Sequence, residues 1–205
     1  MDGLISLCNE IKGCKKCDLH LSRKTAVCGI GDRSAEVMIV GEAPGSNEDQ
    51  TGVPFVGRSG KLLDKMLIEA NLPRSRVYIT NAVRCRPKIG RTPKITEIRK
   101  CTPFLSKEIE TVGPVLIIPM GNSALKSIGI ILKMNFGRIS EAWKSIYHVN
   151  GMFILPQFHP AAILRNPKLF HIMKDRFELI RSFRDDIKNG KSMDYLGEKY
   201  GIIKI

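Results

Sequence analysis

Short apolar runs alternate with longer amphipathic stretches through the middle of the chain. Apolar residues recur three and four positions apart in 59–72, which predicts a helix there, and a second helix is predicted over 95–110. Uniformly apolar runs are typical of parallel strands buried on both faces. Three such runs are AEVMIVGE (35–42), RVYITNAV (76–83) and GPVLIIPMG (113–121). The alternation predicts an α/β fold, a three-layer α/β/α sandwich with a mostly parallel central sheet.

Smaller elements follow in the rest of the chain. NSALKSIGI (122–130) predicts the start of another helix, and two short strands are predicted around a turn at Asn150 and Gly151. Residues 167–188 form a basic amphipathic pattern that predicts a long helix. The tail, residues 189–205, is polar and is expected to be peripheral.

Composition and charge narrow the class of protein. The 205 residues are 43% hydrophobic, enough for one substantial core, so we expect a single domain that is monomeric. Lys and Arg number 33 against 20 Asp and Glu, a formal charge of +13, which favours nucleic acid as the partner. An anionic membrane is the competing partner, but the basic residues are scattered instead of forming one polybasic block. Because no stretch approaches the roughly 18 apolar residues of a spanning helix, we expect a soluble intracellular protein.

Six cysteines are present, and their spacing points to a metal site. Disulfides are unusual inside cells, so closely spaced pairs of cysteines in an intracellular protein suggest that they bind a metal. Cys14 and Cys17 form a CxxC in the cysteine-rich segment 1–28, and Cys85 and Cys101 form a second pair. Two thiolate pairs can hold either an iron-sulfur cluster or a zinc ion, and spacing alone does not choose between them. For the remaining two, Cys8 and Cys28, we expect small buried side chains.

Four further motifs lie at the predicted strand ends and loops, where sheets of this kind bind ligands. They are GEAPGSNED (41–49), GVPFVGRSGKLLD (52–64), YITNAVRCRP (78–87) and FHPAAILRNP (158–167). Together with the four cysteines they resemble the motif set of family 4 uracil-DNA glycosylases, in the same order over about residues 10–185. The resemblance implies a DNA-repair hydrolase that flips uracil out of single- or double-stranded DNA and leaves an abasic site without cutting the strand. It also implies a structural [4Fe-4S] cluster on the four cysteines, with zinc as the alternative.

The resemblance assigns roles that the chemistry of each side chain supports. Phe55 would stack on the extruded base, and the amide of Asn81 can pair with both O4 and N3–H of uracil. His159 would stabilise the negative charge that builds on the departing base, and Glu42 would orient water beside a cationic sugar. In isolation, Phe55 would more often be an ordinary core aromatic.

Residues of the GEAPGSNED loop complete the expected base pocket. Gly41 and Ala43 allow the backbone to approach the base and to offer N–H groups, as does Gly45. Glu48 is implied to exclude the methyl group of thymine, although Glu48 and Asp49 also fit pocket-wall or solvated charges. A carboxylate at position 42 points to uracil as the main substrate.

DNA contacts are expected on either side of this pocket. Leu164 would wedge into the space that the base leaves, with Arg165 on a phosphate or in the minor groove. Further basic residues are candidates for phosphate contacts; they are Arg58, Arg84, Arg86, Lys88 and Arg91. A sliding clamp is a candidate protein partner.

Two other classes compete with a glycosylase. A non-catalytic iron-sulfur DNA-binding module of the same fold would be expected to lose its polar pocket residues, yet Glu42, Asn81 and His159 are all present. A zinc-stabilised nucleotide hydrolase would need a phosphate loop, and GEAPG lacks the Lys-Ser/Thr pair of that motif.

Overall fold

One twisted sheet organises the computed structural model, which describes residues 3–88 and 91–205. Within those ranges the sheet has seven strands in the order β1-β3-β2-β4-β6-β5-β7. The strands are β1 (Ile30–Gly31), β2 (Val37–Gly41), β3 (Val77–Asn81), β4 (Leu116–Pro119), β5 (Ile146–Val149), β6 (Met152–Ile154) and β7 (Ile202–Lys204). The central strands β3, β2, β4 and β6 are parallel, while β1–β3 and β5–β6 are antiparallel pairs.

Helices cover both faces of the sheet. They are α1 (Gly3–Gly13), α2 (Ser46–Thr51), α3 (Arg58–Glu69), α4 (Ile95–Val112), α5 (Asn122–Leu132), α6 (Ile139–Ala142), α7 (Pro160–Arg165), α8 (Leu169–Lys188) and α9 (Met193–Tyr200). Successive strand residues point to opposite faces. Val37 and Ile39 of β2 therefore pack in the cluster that holds α3 and α8, while Met38 and Val40 pack in the cluster that holds α4 and α5. The predicted α/β/α sandwich with a mostly parallel sheet is confirmed.

The predicted hairpin is also present. Strands β5 and β6 pair antiparallel, with Val149 opposite Met152. Asn150 and Gly151 between them have φ values of 50° and 78°. Two consecutive left-handed residues are what a tight two-residue hairpin turn requires, and Asn-Gly is its preferred sequence.

Three predictions about irregular segments need correction. The GEAPGSNED loop contains the start of a short helix, α2, and most of the FHPAAILRNP segment after His159 is a short helix, α7. The tail 189–205 adds α9 and the edge strand β7, which pairs in parallel with β5. Leu196 of α9 is buried and Tyr200 packs edge-on against Phe183, so the tail contributes to the core.

A third hydrophobic cluster lies between α1 and α4 and contains the cysteines. Cys8 and Cys28 form a disulfide, which corrects the expectation of two separate thiols. The expectation came from the usual reducing compartment of intracellular proteins, whereas the fold places the two side chains in contact. Within the described ranges, helices long and apolar enough to cross a membrane are absent.

Candidate active site and cysteine-lined cavity

Residues from four motif loops meet in one small cavity near the carboxyl ends of β2 and β3. The cavity has a volume of about 220 Å³, including the part open to solvent. Its lining residues are Ala43, Glu48, Phe55, Ser59, Asn81 and His159. Five of these were predicted from the sequence, and Ser59 was not. Ligands of open α/β sheets commonly bind at this end of the strands.

Phe55 is held in a fixed and unusual conformation beside this cavity. Its φ is 54°, a left-handed value that is uncommon for a residue with a side chain, and only 5% of the residue is exposed. Arg74 donates to the Phe55 carbonyl over 3.0 Å, and any side chain at Gly60 would overlap that same carbonyl. The Phe55 ring lies 5.5 Å from the His159 ring, nearly parallel to it. The aromatic face is therefore positioned by the backbone and not by side-chain packing alone.

Gly41 lies where Asn81 and Phe55 approach the backbone. A Cβ atom at Gly41 would collide with Oδ1 of Asn81 and with the Phe55 ring. Asn81 is the last residue of β3 and is only 3% exposed. Gly41 is thus the residue that allows the Asn81 and Phe55 side chains to approach the backbone closely, while its predicted approach to the base stays a prediction.

His159 is the N-cap of α7 and has a defined tautomer. Its Nδ1 accepts a hydrogen bond from the backbone N–H of Ala161 over 3.1 Å, so the ring proton lies on Nε2. Burial, together with the positive charge of Arg165, lowers the pKa of His159 to about 4. At neutral pH the ring is therefore an uncharged donor through Nε2.

Glu42 lies just outside the cavity lining and is held by Ser123. The Ser123 hydroxyl donates to a carboxylate oxygen of Glu42 over 2.7 Å. Ser123 is buried near the start of α5, directly after β4, so the carboxylate is tied across two neighbouring strands. Ser123 was not predicted from the sequence; the signal available was its position just after a buried strand.

Glu48 and Asp49 are buried and act on neighbouring loops. Glu48 accepts from the backbone N–H groups of Val56 and Gly57 over 2.9 and 2.8 Å, directly after Phe55. Asp49 accepts from the N–H of Lys24 over 3.0 Å and is 2% exposed. Glu48 is part of the cavity wall, and a solvated role for either carboxylate is wrong.

Two of the expected DNA-contact residues lie exposed at the end of α7. Leu164 is 49% exposed, and Arg165 beside it is also exposed. Among the basic candidates, Arg58 and Lys88 are exposed and Arg86 is half-buried. These positions are available to a polyanion.

The remaining basic candidates have partners within the protein. Arg84 is buried and forms an ion pair with Glu108, Nη2 to Oε2 being 2.7 Å, so its predicted phosphate contact is wrong. Arg91 makes a two-pronged contact with Glu97 over 2.7 and 2.8 Å and remains half-exposed. Both acids lie on α4, and Glu108 is 24 residues beyond Arg84, too far along the sequence for a local pattern to reveal that pairing.

A second cavity is lined by all four predicted metal-ligating cysteines. Its volume is about 320 Å³, including the part open to solvent, and its walls include Cys14, Cys17, Cys85 and Cys101. Cys85 lies in the loop beyond β3, and Cys101 lies on α4, within the range predicted as a helix. Burial raises the pKa of Cys101 to about 12 and also raises the pKa values of Cys17 and Cys85. As free thiols, Cys17, Cys85 and Cys101 would be uncharged at neutral pH.

The cavity has the chemistry of a site for an anionic thiolate-bound group. Arg23 donates to Sγ of Cys85 over 3.0 Å, and Lys16 and Lys100 also line the cavity. These cations suit the negative charge of four thiolates. Within residues 3–88 and 91–205, however, groups of three or more His, Cys, Asp or Glu side chains arranged to hold one metal ion are absent. The donor set fits, while the thiols are not gathered around a single point.

Comparison with known proteins adds an independent line of observation. A family model, the Uracil DNA glycosylase superfamily, matches residues 28–188. A type-4 uracil-DNA glycosylase of Sulfurisphaera tokodaii is 40% identical over 206 residues, covering 97% of this chain and 93% of the relative. One of Thermotoga maritima is 38% identical, covering 89% of this chain and 90% of the relative. A DNA polymerase of Bacillus phage SP01 is 31% identical over 75% of this chain, which corresponds to 16% of the polymerase.

Proposed function

Because this chain belongs to the uracil DNA glycosylase superfamily, and within it to the type-4 glycosylases, we propose that it removes uracil from DNA by flipping the base and hydrolysing its N-glycosidic bond. The observation that carries the proposal is the small cavity in which Phe55, Asn81 and His159 face one another. A base within a duplex is out of reach of these groups, so extrusion must precede the reaction.

The cavity supports recognition of uracil by shape and by hydrogen bonds. The face of Phe55 provides a stacking surface worth about 1 to 3 kcal/mol per base. The Asn81 amide donates to O4 and accepts from N3–H, and cytosine presents the reverse pattern at these two positions. Glu48 accepts hydrogen bonds from two backbone N–H groups and so fixes the loop after Phe55, which narrows the cavity on that side. A thymine methyl group would meet this wall.

The reaction separates charge, and two residues are placed to stabilise it. As the bond from C1′ of the sugar to N1 of uracil breaks, its electron pair moves to the base and is shared with O2. A neutral His159 can donate Nε2–H to O2, and a fixed donor at a developing anion contributes roughly 3 to 4 kcal/mol. The Glu42 carboxylate, oriented by Ser123, directs water to C1′ and takes its proton. The uracil anion then takes up a proton from solvent while Glu42 returns its proton to solvent, so the products are free uracil and an abasic sugar.

Strand cleavage is not part of the proposal. Lyase chemistry in glycosylases requires an amine that forms a Schiff base with C1′. Among the described residues that line the base cavity there is no lysine. The protein is therefore proposed to be monofunctional.

We also propose that Cys14, Cys17, Cys85 and Cys101 hold a [4Fe-4S] cluster, with zinc as the alternative. Four thiolates on one cavity with cationic walls support the proposal. When bound, the cluster would supply a rigid connection between the N-terminal segment, the loop after β3 and α4. Glycosidic hydrolysis transfers no electrons, so its role would be structural.

Release of free uracil by purified protein tests the function. Single- and double-stranded oligonucleotides containing one uracil would be compared with matched thymine oligonucleotides, and the visible spectrum and iron and zinc contents measured on the same sample. Uracil release with an abasic, unbroken strand is expected, together with broad brown absorption and about four iron atoms per chain. A folded brown protein that releases nothing would instead indicate a DNA-binding module, and an active colourless zinc protein would overturn only the cluster.

A further inference from the structure

Five consecutive residues, 81–85, connect the base cavity to the cysteine-lined cavity. Asn81 lines the first and Cys85 lines the second. Between them, Ala82 N–H donates to the Gly41 carbonyl over 2.8 Å, and Val83 N–H donates to the Glu42 carbonyl over 3.3 Å. A shift of this segment would therefore move the base-reading amide and the backbone of the catalytic loop together.

Arg84, in the middle of this segment, is fixed by a buried network. Its ion pair with Glu108 leaves both side chains 2% exposed, and its other guanidinium nitrogen donates to Thr80 of β3. The second oxygen of Glu108 accepts from the Tyr78 hydroxyl and from Gly29 N–H, both over 3.2 Å. Burial by itself would lower the pKa of Arg84, but the Glu108 carboxylate raises it, so the guanidinium stays charged.

The same network reaches the cysteines. Arg84 itself lines the cysteine cavity, and its backbone N–H is hydrogen-bonded to the Cys101 sulfur. Its carbonyl accepts from Val27 N–H over 2.8 Å, next to the disulfide-bonded Cys28. Glu108 lies two turns beyond Cys101 on α4. Arg84 thus touches the cysteine site through its backbone and the end of β3 through its side chain.

A buried ion pair is a costly way to stabilise a fold. Removing two charges from water costs several kcal/mol per ion, and apolar replacements of both partners are often neutral or stabilising. A purely structural contact between β3 and α4 would not need charges. The pair does, however, hold one geometry, since a guanidinium bonded to both Thr80 and Glu108 has little freedom to rotate.

We propose that Arg84 and Glu108 are positioning residues that couple the cysteine site to the base cavity, so that filling either site stabilises the other. The inference rests on the proposed function, because it takes uracil as the ligand of the base cavity and a metal group as the ligand of the cysteines. Coupling between two binding sites is reciprocal. Uracil in its cavity should therefore tighten the binding of the metal group by the same factor by which the metal group tightens uracil binding, and a more tightly held metal group should be lost more slowly.

The test measures this protection directly and does not use activity. Holoprotein would be challenged with an iron chelator, and the decay of its visible absorbance followed with saturating free uracil, with thymine, or with no base. Free uracil is chosen because it is too small to shield the cysteine cavity as bound DNA would. We expect uracil to slow the decay of the wild-type protein at least about fivefold, the lower end of typical couplings, and thymine to have no effect.

Variants then locate the coupling. Arg84→Met combined with Glu108→Leu removes both charges without leaving either one unpaired, and its protection should fall to below twofold. Lys107→Met is the matched control, since it breaks an exposed ion pair with Glu10 between α1 and α4 and should keep full protection. Arg84→Lys keeps the positive charge and should retain part of the protection by uracil. This variant replaces the double variant if the latter fails to fold.

Three results would overturn the inference. They are equal decay of the wild-type protein with and without uracil, full protection in the double variant, and loss of protection in Lys107→Met. If the metal proves to be zinc, its release to a chromogenic chelator replaces the absorbance and the expectations are unchanged. Failure of the proposed function would appear separately, as a wild-type protein that releases no uracil from DNA.

Discussion

The base cavity and the cysteine-lined cavity are completed in different ways. In the base cavity the chain holds its own polar groups: Ser123 holds Glu42, Ala161 N–H holds the His159 ring, and two N–H groups hold Glu48. In the cysteine cavity, burial raises the pKa values of three of the four thiols, and the nearby cations face sulfur atoms that would be uncharged without a metal.

The difference shows which site can be formed by folding alone. A pocket whose donors are already oriented needs no reorganisation when charge develops during a reaction, which is how electrostatic stabilisation becomes large. Buried thiols lose their protons only when a bound ion balances the negative charge of the thiolates, so a metal group at this site would contribute to folding when it binds. Substitutions in the base cavity should therefore change the reaction, and those around the cysteines should change stability.

The largest effect on the reaction is expected for His159→Ala. Losing a fixed donor to the departing base should slow single-turnover uracil release about 100- to 1000-fold. His171, which is exposed on α8, provides the matched control, and His171→Ala should leave the rate unchanged. A loss of less than about tenfold in His159→Ala would remove its anion-stabilising role.

Loss of the disulfide is expected to have an effect of similar free energy, but on stability instead of on the reaction. Cys8 and Cys28 are 20 residues apart, and closing a loop of this length stabilises a protein by about 3 kcal/mol. Cys8→Ser should lower the free energy of unfolding in denaturant by this amount, with uracil release nearly unchanged. The wild-type protein in a strong reductant serves as the control and should resemble the variant; equal stability of oxidised wild type and variant would contradict the prediction.

Asn81→Asp should change the choice of base. A carboxylic acid group can present a donor and acceptor to the edge of cytosine, so the ratio of cytosine to uracil release should rise by about two orders of magnitude, mainly through loss of uracil release. Rates on matched oligonucleotides containing one uracil or one cytosine measure the ratio. An unchanged ratio would mean that Asn81 does not read the base.

A smaller effect is expected for Ser123→Ala. A hydrogen bond to a carboxylate contributes about 1.5 to 3 kcal/mol, so the variant should release uracil about tenfold or more slowly, with little change in DNA affinity. Ser123→Thr keeps the hydroxyl and should restore most of the rate. If both variants are equally slow, the effect is one of packing, and Ser123 does not position Glu42.

A pH-dependent effect concerns the protonation of His159. Its pKa of about 4 means that the ring is neutral at pH 6, where an exposed histidine is largely protonated. The unfolded chain therefore binds a proton between about pH 6.5 and pH 4 that the folded chain does not, and this residue makes the protein less stable as the pH falls through that window. A pH titration followed by NMR of histidine-labelled protein, with His159→Asn used for assignment, measures the pKa; a midpoint near 6.5 would refute it.

The sequence predicted the sheet well because its strands are uniformly apolar over lengths that helices rarely have. The predicted strand over 113–121 is longer than β4, beyond which Met120 makes only an isolated bridge with Gln157. The helices α2 and α7 were missed because each has six residues, too few for a helical period to appear. Local patterns thus predict the core elements and lose the short ones.

Pocket residues were predictable where motifs carry them, and pairings across the fold were not. Ser123 matters because β4 lies beside β2, and Arg84 is buried because Glu108 of α4 packs beneath it. Neither pairing can be recognised from the spacing of the residues along the sequence. The disulfide between Cys8 and Cys28 was missed for another reason. Disulfides were not expected in an intracellular protein, and the sequence does not show that the fold brings the two side chains together.

The imidazole ring of His159 has two roles. It begins α7, which presents Leu164 and Arg165, and it faces the base cavity. For protein engineering this means that a substitution of His159 also removes the N-cap of α7. A variant with a changed base preference would therefore be expected to bind DNA more weakly. Ser59 lines the same cavity without capping a helix, since the N-cap of α3 is Gly57. A library aimed at new base specificity would do better to begin at Ser59.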